Sequence, residues 1–94
     1  MLKHNTYFDG RVQSIGFERN GLRQSVGVIV PGEYRFDTGA AERMTVVSGA
    51  LEVRLDGETD YRLYPAGTYF EVAAKSAFDV RTTAESAYLC EYLA

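Results

Sequence analysis

From Tyr34 to Val53 the chain reads Y-R-F-D-T-G-A-A-E-R-M-T-V-V-S-G-A-L-E-V. Tyr34, Phe36 and Thr38 alternate with Arg35 and Asp37; Glu42, Met44 and Val46 resume in phase; Leu51 and Val53 follow a break at Ser48-Gly49. Period two is what a strand with one buried face requires. The stretch predicts three consecutive antiparallel strands, tied by a Gly-containing loop at Gly39 and a tight turn at Gly49. One residue is out of place. Glu42 shares the parity of Met44 and Val46, so a carboxylate points inward. A charge there costs several kcal/mol, roughly, unless it is paired, hydrogen-bonded or beside water in a cavity.

The rest of the chain repeats the pattern. Arg11 to Phe17 puts Val12 on one parity and Ile15 and Phe17 on the other, which predicts a bulge near Ser14. Asn20-Gly21 is the strongest hairpin signal. Ser25 to Val30 is almost wholly aliphatic, as for a strand buried on both faces or covered by a second subunit. Pro31-Gly32, Asp56-Gly57 and Pro65-Ala66-Gly67 mark turns between the later strands. Phe70 and Val72 continue inward, then Phe78, Val80 and Thr82, and the last strand runs from Ala87 to Leu93. No segment carries a sustained 3.6-residue period. The expectation is an all-β single domain over residues 1–94, with about nine strands closed into a barrel that leaves few bare edges.

Size limits the site. A chain of 94 residues buries only about 60–65% of its extended surface, so an active site is either an open pocket or completed by another subunit. A formal charge of −3 disfavours a general nucleic-acid binder, which needs a cationic face. No apolar run is long enough for a signal peptide or a membrane span, so the cytoplasm is the expected compartment. Cys90 is the single cysteine, which excludes an intrachain disulfide and is read as a buried, unreactive thiol.

Phosphate loops, G-x-G-x-x-G, H-E-x-x-H and G-x-S-x-G elbows are all absent. His4, the one histidine, lies near the terminus and is read as idle, so histidine triads and multi-histidine metal sites are excluded. Two sets of residues remain. Tyr34, Phe36, Thr38 and Glu42 share the inward face: rings to stack on, with a hydroxyl and a carboxylate to hold ribose or base edges. The competing reading makes Tyr34 and Phe36 plain core and pairs Glu42 with an arginine. Arg23 beside Ser25 offers a guanidinium fork and a hydroxyl for a phosphate or carboxylate oxyanion; the alternative is a solvated arginine. Arg43, of opposite parity to Glu42, is read as solvated or at a subunit contact.

E42-R-M-T-V-V-S-G49 resembles the glutamate-x6-glycine end of the first cupin motif, and P65-A-G67 the proline-x-glycine of the second. The histidines that bind metal in cupins would fall at Phe36, Thr38 and Phe70. The resemblance therefore implies a cupin jelly-roll barrel without its metal site or other cofactor. A set of motifs over the whole chain is similar to the small bacterial pyrimidine/purine nucleoside phosphorylases: M-L-x-x-N-x-Y-F-x-G from Met1, S-I-G-F from Ser14, S-V-G-V from Ser25, G-E-Y from Gly32, M-T-V from Met44, S-G-A-L from Ser48 and Y-L-C from Tyr88. Ala73 departs from it, where relatives often carry proline. This second resemblance implies a homodimer that phosphorolyses a broad range of nucleosides to free base and pentose 1-phosphate. On that expectation Glu42 is the candidate catalytic residue, with Arg23, Ser25, Tyr34, Phe36, Thr38 and Phe70 as candidate contacts to nucleoside and phosphate. The opposing class is a non-catalytic cupin that binds a small molecule or scaffolds a dimer.

Overall fold

In the computed structural model, which describes residues 1–93, the alternating segments form β1 (Lys3–Tyr7), β2 (Val12–Arg19), β3 (Leu22–Ile29), β4 (Gly32–Asp37), β5 (Ala41–Ser48), β6 (Ala50–Leu55), β7 (Arg62–Pro65), β8 (Tyr69–Val72), β9 (Ala77–Thr82) and β10 (Ser86–Leu93). They build two antiparallel sheets, one ordered β1-β2-β3-β10-β5-β8 and the other β4-β9-β6-β7. The sheets face each other as an all-β, cupin-like jelly roll, as the alternation and the motifs lead one to expect. Inward side chains from both sheets interdigitate between them. Val12, Ile29, Val46, Leu51, Val53, Phe78 and Val80 are fully buried there.

Local chemistry accounts for the β2–β3 hairpin. Asn20 and Gly21 both take positive φ, 54° and 76°, the two-residue turn whose twist matches the flanking strands. The strand beyond the expected set is β1, which pairs residue for residue with β2 along an edge. His4 is thereby part of a strand, its Nε2 3.1 Å from Gln13 Oε1.

Two expectations fail. Consecutive strands β4, β5 and β6 do not pair with one another: β4 and β6 flank β9, while β5 lies between β10 and β8 in the opposite sheet. Alternation reports which face is buried, not which strand is the neighbour. Gly49, at φ +80°, carries the chain from one sheet to the other, and a Cβ there would collide with the Ser86 side chain. No bulge occurs near Ser14, because Val12, Ser14 and Gly16 turn inward and Ile15 faces outward. The irregularity instead falls between β10 and β5, at Ala87 and Tyr88. Within this chain β3 is buried on one face only: Ser25, Gly27 and Ile29 point in, while Val26 and Val28 remain 44% and 49% exposed.

Candidate functional site

The inward face of the larger sheet turns polar toward one end. On β3 it carries Arg23, Ser25 and Gly27; on β10, Tyr88, Cys90 and Tyr92; on β5, Glu42, Met44 and Val46. Register sets these side by side: Ser25 opposes Cys90, which opposes Met44, and Tyr92 opposes Glu42. Small residues create the room. The Tyr88 ring occupies the space where Gly27 has no side chain; a Cβ at Gly27 would overlap the ring.

An inner chamber of about 120 Å³ opens among Tyr7, Ser14, Ser25, Glu42, Tyr88, Cys90 and Tyr92, closed from the other sheet by Phe36 and Phe78. Through Tyr7, Ser25 and Tyr92 it adjoins an outer chamber of about 370 Å³, which adds Lys3, Asn5, Glu18, Arg23 and Gln24. The Arg23 guanidinium lies over the Tyr92 ring, 5.0 Å from its centroid, a cation–π contact that holds the charge at the mouth.

Glu42 is half-buried and accepts a hydrogen bond from Cys90 Sγ at 3.5 Å. Among the described residues no lysine, arginine or histidine makes an ion pair with it. Burial holds its carboxyl above the ordinary 4.5, and the thiol hydrogen bond only partly opposes that. The same burial, with the Glu42 carboxylate beside it, pushes the Cys90 thiol up to about 12. Tyr88 is raised by burial, as is Tyr92, where the Ser25 hydroxyl works in the other direction. An inward carboxylate without a counter-cation, set in aromatic walls, is an arrangement that a polar ligand completes.

The structure brings together Glu42, Phe36 and Ser25 in the inner chamber and Arg23 and Ser25 in the outer one. Tyr34, Thr38 and Phe70 line neither. The Tyr34 hydroxyl donates to the Val30 carbonyl at 2.7 Å, and its ring packs on Phe8 with centroids 5.0 Å apart. Thr38 Oγ1 donates to the Ala73 carbonyl at 2.7 Å and accepts from the Ser76 amide at 2.9 Å, pinning the loop after β8. Phe70 packs between Tyr64 and Phe78 in the core. Arg43 faces outward, pairing with Glu71 at 2.7 Å and covering Tyr69. Tyr7, Tyr88 and Tyr92 were not singled out by sequence. The signal was there: Tyr88-x-Cys90-x-Tyr92 alternates along β10 opposite a strand whose inward residues are Ser25 and Gly27, too small to fill a core.

The cupin metal positions do not suit a metal. Phe36 and Phe70 offer hydrocarbon, and the Thr38 hydroxyl is already committed to backbone. Among the described residues no group of three or more His, Cys, Asp or Glu side chains stands together.

Residues 2–92 match the protein family described as pyrimidine/purine nucleoside phosphorylase. A Sorangium cellulosum protein of that name is 66% identical over 93 residues, covering 99% of this chain and 100% of the relative. One from Anaeromyxobacter sp. is 62% identical, over 99% of this chain and 89% of the relative. A solved structure of a Vibrio parahaemolyticus protein of unknown function superposes with a TM-score of 0.96 at 50% identity, covering 99% of both chains. The chain belongs to the pyrimidine/purine nucleoside phosphorylase family.

Proposed function

We propose that this chain is a nucleoside phosphorylase of broad specificity, converting purine and pyrimidine nucleosides and inorganic phosphate to free base and α-D-ribose 1-phosphate. The observation that carries the reading is the placement of Glu42 and Arg23 at opposite ends of one aromatic-walled site. They sit on strands flanking β10, so their backbones are two strand spacings, about 10 Å, apart. Family membership, and the name its relatives bear, supports the same chemistry.

In the reaction a phosphate oxygen forms a bond to C1′ as the C1′–N bond breaks, the electron pair leaving with the base, which then takes up a proton. Positive charge builds on the sugar. Glu42, desolvated and without a cation of its own, is placed to hold the ribose and to stabilise that charge. Arg23, fixed over Tyr92, is placed to hold phosphate for in-line attack. Phe36, Phe78, Tyr88 and Tyr92 offer rings to the base, and stacking, which every base can make, is what a broad range of nucleosides requires. We place the enzyme in the cytoplasm as a homodimer.

The test is incubation of pure protein with uridine or adenosine, with and without phosphate. Phosphate-dependent release of base together with ribose 1-phosphate is expected. Release indifferent to phosphate points to hydrolysis, and no turnover above a heat-treated control across several nucleosides leaves a binding protein.

A further inference from the structure

Lys3 has no part in the fold's hydrophobic core, yet its side chain lines the outer chamber together with Arg23. It is delivered there by β1, the edge strand. Register fixes its place: Lys3 opposes Gly16, and Gly16 opposes Ser25. Gly16 contributes no side chain, so the floor between the Lys3 ammonium stem and the Ser25 hydroxyl is backbone. Arg23 is the next inward residue along β3. Two cations and a hydroxyl thus border one depression whose floor carries no side chain at Gly16.

Arg35, Arg43, Arg54 and Arg81 on the outer faces each meet a carboxylate within 3.4 Å. Lys3 and Arg23 are free of carboxylate partners, as are Arg11, Arg19, Arg62 and Lys75 among the described residues, but of these only Lys3 and Arg23 line the outer chamber. Glu18 lines the same chamber and opposes Arg23 across β2 and β3. The arm that carries Lys3 is also fixed. Phe8 and Asp9 adopt positive φ in the turn after β1, and the Phe8 ring packs on Tyr34 and Phe36, with centroids 5.0 and 5.5 Å away. A left-handed pair of non-glycine residues is maintained only where its surroundings hold it.

We propose that Lys3 and Arg23 form a two-cation subsite for inorganic phosphate over Gly16, with the β1 arm supplying half of its charge. The identity of the anion rests on the phosphorolytic reading; the site itself rests on the geometry. Lys3 and Arg23 outweigh the chamber's one carboxylate, Glu18, so the subsite keeps net positive charge for an anion, and the phosphate group of ribose 1-phosphate occupies the same place in the reverse reaction.

Inorganic phosphate titrated calorimetrically into the intact protein, without nucleoside, tests this. Lys3→Gln should weaken phosphate about ten-fold or more, the weight of a charge-assisted hydrogen bond, and Lys3→Arg should restore most of it. Gly16→Val is the geometric test. A Cβ at Gly16 meets nothing closer than 3.7 Å; with folding verified by the β-sheet spectrum, the branched side chain reaches into the depression and should weaken phosphate with both cations intact. Glu18→Gln removes the chamber's carboxylate and should tighten phosphate. In turnover assays the KM for phosphate and for ribose 1-phosphate should rise with Lys3→Gln while that for uridine holds.

An unchanged phosphate affinity in both Lys3→Gln and Gly16→Val overturns the subsite. Lys3-dependent phosphate binding in a protein without nucleoside turnover keeps the subsite and removes the phosphorolytic reading. Phosphate-dependent turnover indifferent to Lys3 does the reverse.

Discussion

Glu42 accepts its hydrogen bond from a thiol, Cys90 Sγ at 3.5 Å, and among the described residues no cation stands against it. A neutral, weak donor does little to offset the loss of water around a carboxylate. The native state therefore tolerates this charge rather than being held together by it. Glu42→Gln keeps the shape and an acceptor for the thiol while removing the charge. Turnover should fall about ten-fold or more, with urea unfolding of the variant no easier than that of the parent. The sign with pH follows from burial. The carboxyl is raised above 4.5 in the folded chain, so the native state binds the proton more tightly than the unfolded one, and its ionisation weakens the fold as pH rises through the raised value. The stability gained by Glu42→Gln should accordingly be present at neutral pH and vanish below the ordinary carboxylate range. If the variant is strongly destabilised at pH 7, Glu42 has a cationic partner after all.

Gly27 is needed because Tyr88 fills the space above it. Gly27→Ala should destabilise by roughly 1–3 kcal/mol through overpacking, read from the urea midpoint. Adding Tyr88→Leu, which withdraws the ring, should return part of the loss. A neutral Gly27→Ala means that the ring swings clear and that the inner chamber is not shaped by this contact.

The lone thiol gives a probe of the same chamber. With Cys90 pushed up to about 12, only on the order of one part in ten thousand is thiolate at pH 8. Alkylation by iodoacetamide should be far slower in the folded protein than in urea. Prompt reaction in the native state would show the thiol to be open and ionised, and the carboxylate beside it to be well solvated.

Strand faces were legible because one buried side requires period two, and this is why the inward parity of Glu42 could be read directly. Partner strands were not. Gly49 looks the same whether it closes a hairpin or passes the chain to the facing sheet, and only long-range pairing of β6 with β9 decides. Tyr34 was drawn into the site by parity alone; the Val30 carbonyl and the Phe8 ring that occupy it come from elements with no local signature. The aromatic wall of β10 went unread for the opposite reason. Tyr88 and Tyr92 on an alternating strand look like core; only the pairing of Tyr88 with Gly27 and of Cys90 with Ser25 shows that small residues across the register leave room for a chamber.

Side chains at the cupin ligand positions lead to a fourth expectation. Phe36 and Phe70 supply no donor, and Thr38 is engaged with Ala73 and Ser76. Dialysis against chelator should leave turnover unchanged. Activity lost on dialysis and restored by a single transition metal would overturn this description of the site.

The outer face of the larger sheet leaves Ile15, Val26 and Val28 exposed by 39%, 44% and 49%, side by side on β2 and β3, with Val47 at 57% farther across. Ile15 pairs directly with Val26, so the patch is contiguous rather than scattered, and contiguous apolar surface marks association. A two-fold dimer through this face would cover it, and a stable one needs on the order of 1,000 Å² of buried surface. Light scattering at micromolar protein should give twice the chain mass. Val28→Lys separates the cases. On the free surface of a monomer such a change costs no more than about 0.5 kcal/mol and alters nothing else. Across a dimer interface it places a desolvated charge, together with its symmetry mate, against apolar side chains, and should shift the mass to that of one chain with the β-sheet spectrum retained. A parent protein that is monomeric at these concentrations, or a Val28→Lys variant that remains dimeric, removes this face from the interface.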